Sequence, residues 1–261
     1  MLKVFKKKNS VFFVMVLLFL TKILGFLKLR TIAQLFGVSH ELDIFWAAFT
    51  IPDMLFMILV AGSINAAVIP IFSDIFRKDG KDALNKFFNY LTLIIVFVST
   101  LIALLFFIFT PQLTNFLIKS DGLQKVLNFA QRIEPGDFDL FVNLTRLMML
   151  SPILLGASTL VTAYLQVRKQ FFVTSLAPLF YNLSMIVGSW VLVSLFDMGV
   201  EGIAISAVIG SLLHLLVQLP KFKTYYDTKF KIGFKTLFKA FKHKKTRLAL
   251  KLAIPRTIGI F

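Results

Sequence analysis

Cysteine is absent from this chain, which excludes disulfides, thiol catalysis and cysteine-ligated metal sites. Acidic residues are scarce: 13 Asp and Glu stand against 29 Lys and Arg, and only 16% of residues are charged. The three histidines, His40, His214 and His243, are far apart in sequence, and no HExxH, GxSxG or glycine-rich nucleotide loop occurs. With its carboxylates almost wholly in loops, the chain offers no arrangement that marks an enzyme, and neither a cofactor nor a metal is expected. What fills the sequence instead is apolar: 57% of 261 residues are hydrophobic and the mean hydropathy is +0.82. That exceeds what a soluble core could bury and implies an all-α polytopic membrane protein. The 31 Phe and the many Lys fit an AT-rich coding sequence and carry no functional argument alone.

Where every face is apolar, periodicity says little, so length and charge spacing assign the spans, at about twenty residues per crossing. Six follow: Val11 to Phe36, Phe45 to Phe72, Leu91 to Thr110 with Pro111 as its stop, Leu147 to Val167, Phe171 to Phe196 and Gly202 to Leu219. A seventh begins near Leu248 and has about ten residues before Phe261, too short to cross, so the chain is expected to be the N-terminal piece of a longer protein. Lys3, Lys6, Lys7 and Lys8 before Val11 to Leu20 resemble a secretory signal, but no small-x-small cleavage site follows and the stretch reads as a retained span. The domains expected are a six-helix lobe over 1–220, a basic linker over 221–247 and the start of a second lobe over 248–261.

Lys and Arg number 21 on one side of this layout and four on the other, which places the N-terminus in the cytoplasm. The net charge of +16 then belongs beside anionic inner-leaflet lipid, and nucleic acid is not an expected partner. In the linker, Phe234, Leu237, Phe238 and Phe241 recur at helical spacing with Lys235, Lys239 and Lys242 between them, predicting an amphipathic helix on the inner leaflet or, failing that, a solvated linker. On the outer side Leu123, Val126 and Leu127 predict a short surface helix. Small residues, among them Ala61 to Ser63, Gly156 to Ser158, Ser206 and Gly210, permit close helix packing, and Pro52, Pro152 and Pro178 permit kinks.

The charges inside the first span need an explanation. At roughly 2.5 to 3.5 kcal/mol for one cation at the bilayer centre, Lys22, Lys28 and Arg30 are expected to line a wet cavity, where they suit an anionic cargo. On an ideal helix Lys22 and Arg30 fall about 80° apart and Lys28 points well away from both. Either a break at Gly25 turns them together, or Lys28 and Arg30 snorkel outward. Asp53, just after Pro52, is the candidate counter-ion to Lys22 or Arg30, or a participant in ion coupling; Asp43 lies nearer the outer end. Asn65, Gln166, Asn182 and His214 read as hydrogen-bonding residues between helices.

Leu24-Gly25-Phe26, Lys28, Arg30, Ala33, Phe36-Gly37, Asp43, Phe45, Ala48-Phe49, Pro52, Gly62 and Ala67-Val68-Ile69-Pro70 resemble the opening signature of the lipid II flippase family, MurJ, also called MviN. Gly156 to Tyr164, Pro178, Asn182 to Met185 and Ile254 to Gly259 extend the resemblance over nearly the whole chain. It implies the multidrug, oligosaccharidyl-lipid and polysaccharide exporter superfamily, with two six-helix lobes around a central cavity, two further helices, and alternating access by rocking of the lobes. The implied cargo is an undecaprenyl-pyrophosphate-linked peptidoglycan precursor, moved from the inner to the outer leaflet. By the same resemblance, Lys22 and Lys28 stand at basic positions implicated in holding the diphosphate. The chain departs from the family at Lys28-Leu29 in place of Arg-Asp, at Phe56-Met57 in place of a basic pair and at Ala61 in place of an acid. These changes leave fewer charges for the anion; Arg30 compensates in part, and Lys offers a point charge without the bidentate fork of Arg. Alternatives are an exporter of another polyprenyl-linked oligosaccharide and a non-transporting scaffold that recruits cell-wall synthesis proteins through the basic linker.

Overall fold

Two glycines in the left-handed region set where the long helices turn: Gly37 at φ +61° and Gly80 at φ +85°. A side chain would strain both, since β-carbon crowding disfavours that region for other residues. The computed structural model describes residues 2–58, 68–120, 133–226, 234–243, 245–249 and 251, with the side chains of 2–11, 234 and 235 excepted. Helix α1 (Leu2–Phe36) ends at Gly37, whose N–H closes on the Ala33 carbonyl. Three residues later α2 (His40–Phe56) begins under an N-cap, Ser39, whose hydroxyl accepts from the Leu42 N–H at 3.3 Å. Glu41 and Asp43 occupy its first turn, where negative charge complements the helix dipole.

Helix α3 (Ile69–Lys119) is two helices joined at Gly80. The second of them runs straight through Pro111, contrary to the stop expected there. A proline has no N–H for the carbonyl four residues back, here that of Phe107. Arg146 supplies the missing donor, its Nε–H reaching the Phe107 oxygen at 2.9 Å. The side chains of Thr110 and Thr114 bond to the carbonyls of Phe106 and Thr110, which serves the same stretch of backbone. The carbonyl that Pro111 leaves without its helical donor is therefore served by a residue 35 positions away.

A short 3-10 turn over Pro135–Asp137 leads into α4 (Phe138–Met148), which bends at Met149 into α5 (Leu150–Val167). The fourth span consequently starts earlier than the predicted Leu147. Helices α6 (Phe171–Ser194) and α7 (Gly199–Leu216) form the tightest pair, followed by α8 (Leu219–Tyr225) and α9 (Phe234–Lys242). A β-carbon on Gly188 would lie 2.7 Å from Ser206 Oγ, and one on Gly210 would lie 3.0 Å from the Tyr181 ring, so glycine is what lets α6 and α7 approach.

Five helical stretches are long and apolar enough to cross a membrane among the described residues: Phe12–Phe36, Ile69–Lys119, Pro135–Val167, Phe171–Ser194 and Gly199–Tyr225. No strand occurs among those residues, and the fold is an all-α polytopic bundle. The expected second span is described only at its ends, because 59–67 lie outside the described residues, as do Ala61, Asn65, the expected surface helix over 123–127 and Ile254 to Gly259. Two apolar clusters hold the bundle. One gathers Ile44, Phe45, Ala48, Phe141, Leu144 and Met148; the other gathers Phe72, Phe87, Phe88, Leu160, Tyr164 and Phe222. In a bilayer such clusters gain by close packing and not by escape from water, since lipid tails are as apolar as leucine.

The predicted linker helix exists as α9, but its apolar stripe is divided. Leu237 and Ala240 pack against Tyr90 and Ile94 of α3, whereas Phe238 and Phe241 stay exposed. Lys245 and Asp79 form an ion pair beside it, tying the end of this segment to the Gly80 elbow. The helix is thus docked on the bundle along one edge and presents Phe238 and Phe241 outward.

Candidate functional site

Helix α1 stays regular across Gly25, so the three cations of the first span do not converge by a break. A β-carbon on Gly25 would sit 4.0 Å from Asn182 Nδ2, and that amide donates to the Thr21 carbonyl at 3.3 Å, which pins α1 to α6. In this register Lys28 turns inward and is half-buried, while Lys22 and Arg30 lie on the exposed part of α1. Pro52 in α2 and Pro178 in α6 sit at the walls of the space that Lys28 enters, a cavity of about 350 Å³.

Its lining is mostly apolar, from Phe49, Phe56, Leu155 and the prolines, with Lys28, Asp53, Ser151, Tyr181 and His214 as polar members. Asp53 is open to the cavity. Lys28 and Asp53 lie within electrostatic reach of each other, and neither takes part in a direct ion pair among the described residues. Of the three cations of the first span it is Lys28, not Lys22 or Arg30, that shares the cavity with Asp53. The Lys28 ammonium also stands 5.9 Å from the centroid of the Tyr181 ring, a cation–π distance that eases partial desolvation. Asp43 remains apart, in the first turn of α2.

Through His214 the cavity wall joins a buried polar cluster, of which the sequence points to Ser158 and His214 but not to Thr162 and Gln218. Ser158 Oγ meets His214 Nδ1 at 2.7 Å; Gln218 Nε2 donates to Ser158 Oγ at 2.9 Å, and Thr162 donates to Gln218 Oε1 at 2.9 Å. Their spacing from 158 to 162 and from 214 to 218 is one helical turn on each of two adjoining elements, a signal that a paired-helix search would detect. Tyr181 and Ser151 left no such trace, for their place in the cavity depends on how α4, α5 and α6 pack.

At the end of the bundle carrying Gly80, the Arg168 guanidinium lies 4.5 Å from the Phe76 ring centroid and 4.8 Å from that of Tyr225. Tyr164, fully buried, donates to Asn85 Oδ1 at 2.6 Å and to the Tyr225 carbonyl at 3.2 Å. These contacts tie α3, α5 and α8 together at that end of the bundle.

Apolar helices around a cavity that holds Lys28 and Asp53 define the class: an all-α, multi-pass membrane protein. The chain belongs to the lipid II flippase MurJ family, whose family model matches residues 32–260. It is 31% identical over 201 residues to the protein named "Probable lipid II flippase MurJ" of Buchnera aphidicola from Acyrthosiphon pisum, covering 77% of this chain and 37% of that one. The lipid II flippase MurJ of Burkholderia cenocepacia is 25% identical over 241 residues, covering 92% of this chain and 44% of its own. The protein named "Probable lipid II flippase MurJ" of Borreliella burgdorferi is 26% identical over 208 residues, 80% of this chain and 38% of its own. The chain thus spans less than half the length of these relatives.

Proposed function

We propose that this chain is the N-terminal lobe of a flippase that carries lipid II from the inner to the outer leaflet of the bacterial cytoplasmic membrane, with its N-terminus in the cytoplasm. The observation that carries the reading is Lys28: a half-buried cation in a mostly apolar intramembrane cavity, near Asp53 but not locked to it. Without cargo, Asp53 offsets the cost of keeping Lys28 at that depth. When a diphosphate enters, the ammonium is free to donate to it, and the exposed Lys22 and Arg30 extend positive charge along the same helix. Phe56 at the cavity wall and exposed Met57 leave room but no charge, so Lys28 carries more of the anion contact than it would beside a basic pair.

Transport by rocking of two lobes needs no catalysis, and this reading assigns no enzymatic step to the chain. The basic segment around α9 faces anionic inner-leaflet lipid, and cell-wall synthesis proteins are its candidate neighbours. The test is genetic and biochemical. Lys28→Ala in the complete protein, and the pair Lys22→Ala with Arg30→Ala, are expected to abolish rescue of a flippase-depleted strain while membrane levels persist. Undiminished rescue by all of them would overturn the cationic-site reading. Preferential binding of another undecaprenyl diphosphate over labelled lipid II would reassign the cargo to a different polyprenyl-linked glycan.

A further inference from the structure

A second hollow, of about 360 Å³, opens between α3 and the α4–α5 bend and shares no lining residue with the Lys28 cavity. At 100° per residue, Met148, Pro152 and Leu155 face that cavity while Leu150 and Ile153 fall on the other side. The walls are apolar apart from Thr100 and one cation, Arg146. Leu104, Phe107 and Leu150 are exposed, so the hollow opens on the outside of the lobe.

Arg146 is only partly used by the fold. Its Nε serves the Phe107 carbonyl that Pro111 leaves free, and its guanidinium lies 5.0 Å from the Phe107 ring centroid. A guanidinium has five N–H donors, and no acidic side chain pairs with the remaining ones among the described residues. Between Lys86 and Lys119 helix α3 carries no charge, and Phe107 lies a little beyond the middle of that stretch, by about 7 Å at 1.5 Å per residue. The hydrocarbon layer extends about 15 Å from its centre, so Arg146 sits at the depth of acyl chains and needs an anion. The bilayer itself offers one, the headgroup phosphate.

We propose that this hollow binds a membrane phospholipid, one acyl chain lying in the crevice between α3 and α5 and the headgroup phosphate drawn down to the terminal nitrogens of Arg146. Snorkelling of the arginine and local thinning of the leaflet close the remaining distance. Apolar walls recognise the chain, and the single cation recognises the phosphate, so a neutral lipid lacking phosphate is a poor occupant. The leaflet is the one on the Lys119 side, the outer leaflet under the charge-based orientation.

The test uses the purified protein in nanodiscs with phosphatidylglycerol bearing a diazirine on one acyl chain, against a diacylglycerol bearing the same chain. Adducts are mapped by mass spectrometry. Labelling at Leu104 and Leu150 is expected to exceed that from diacylglycerol by about ten-fold, the discrimination one charge-assisted contact supplies, and to fall to the diacylglycerol level in Arg146→Gln. Labelling at exposed Phe116 of α3, beyond Pro111, and at exposed Phe12 of α1 should stay constant, reporting that α3 and the rest of the fold are intact. Should Arg146→Gln disturb either helix, Ile153→Trp decides: filling the crevice while keeping the arginine must remove the adducts at Leu104. Equal labelling by the two lipids, adducts retained in a folded Arg146→Gln, or adducts retained in Ile153→Trp would each overturn the proposal.

Discussion

Lys28 and Asp53 admit two roles that a double substitution separates. If Lys28 holds the diphosphate, Lys28→Ala removes a charge-assisted hydrogen bond of about 1.5–3 kcal/mol, which weakens lipid II binding roughly ten- to a hundred-fold. The same change strands Asp53 in the cavity wall, where an unpaired charge costs roughly 2.5–3.5 kcal/mol near the bilayer centre, so stability falls too. Lys28→Ala with Asp53→Ala removes both charges, and thermal stability is expected to return toward that of the parent. Binding is not expected to return, because the cation that meets the cargo is still missing. The assay is titration of fluorescent lipid II into the complete protein in nanodiscs, beside a melting curve for the parent, Lys28→Ala and the double variant. Recovery of binding to within about two-fold in the double variant, at the 1.4 kcal/mol per decade scale, would refute the argument and reduce Lys28 to a structural partner of Asp53.

Two further outcomes follow from contacts at the basic end of the lobe. Tyr164→Phe leaves Asn85 Oδ1 and the Tyr225 carbonyl without their buried donor and should cost about 1–3 kcal/mol in chemical denaturation, against no loss if the hydroxyl were solvated. His243 packs on the rings of Phe87 and Tyr90, and burial, together with the Lys86 and Lys245 ammonium groups, holds its imidazole below the ordinary value. Protonation therefore favours the undocked state: docking of α9 is complete above about pH 6.5 and weakens as pH falls below it. A nitroxide at Phe241→Cys in this cysteine-free chain should gain mobility between pH 7.5 and 5.5, with no change in His243→Phe; a flat wild-type profile would contradict the assignment.

The sequence by itself determined the membrane class, because apolar runs such as Phe171–Ser194 can satisfy their backbone in lipid only as helices. It also located the end of the first helix at Phe36, where Gly37 stops it by a local device, although it began the next span at Phe45 and so missed the turn of α2 that Ser39 caps. The matched residues carried the family in the same way, being identities along the chain and independent of packing. Only the tertiary structure decided that Lys28 is the cation of the first span that shares a cavity with Asp53. That choice depends on the rotation of α1 against α6 and on the placing of α2 beside them, which no spacing within one helix records. It likewise decided that Pro111 does not end a helix, because the donor that rescues the Phe107 carbonyl comes from Arg146 on another element. Local propensity acts between near neighbours, whereas a site inside a bundle is made where distant segments are brought to the same depth and face.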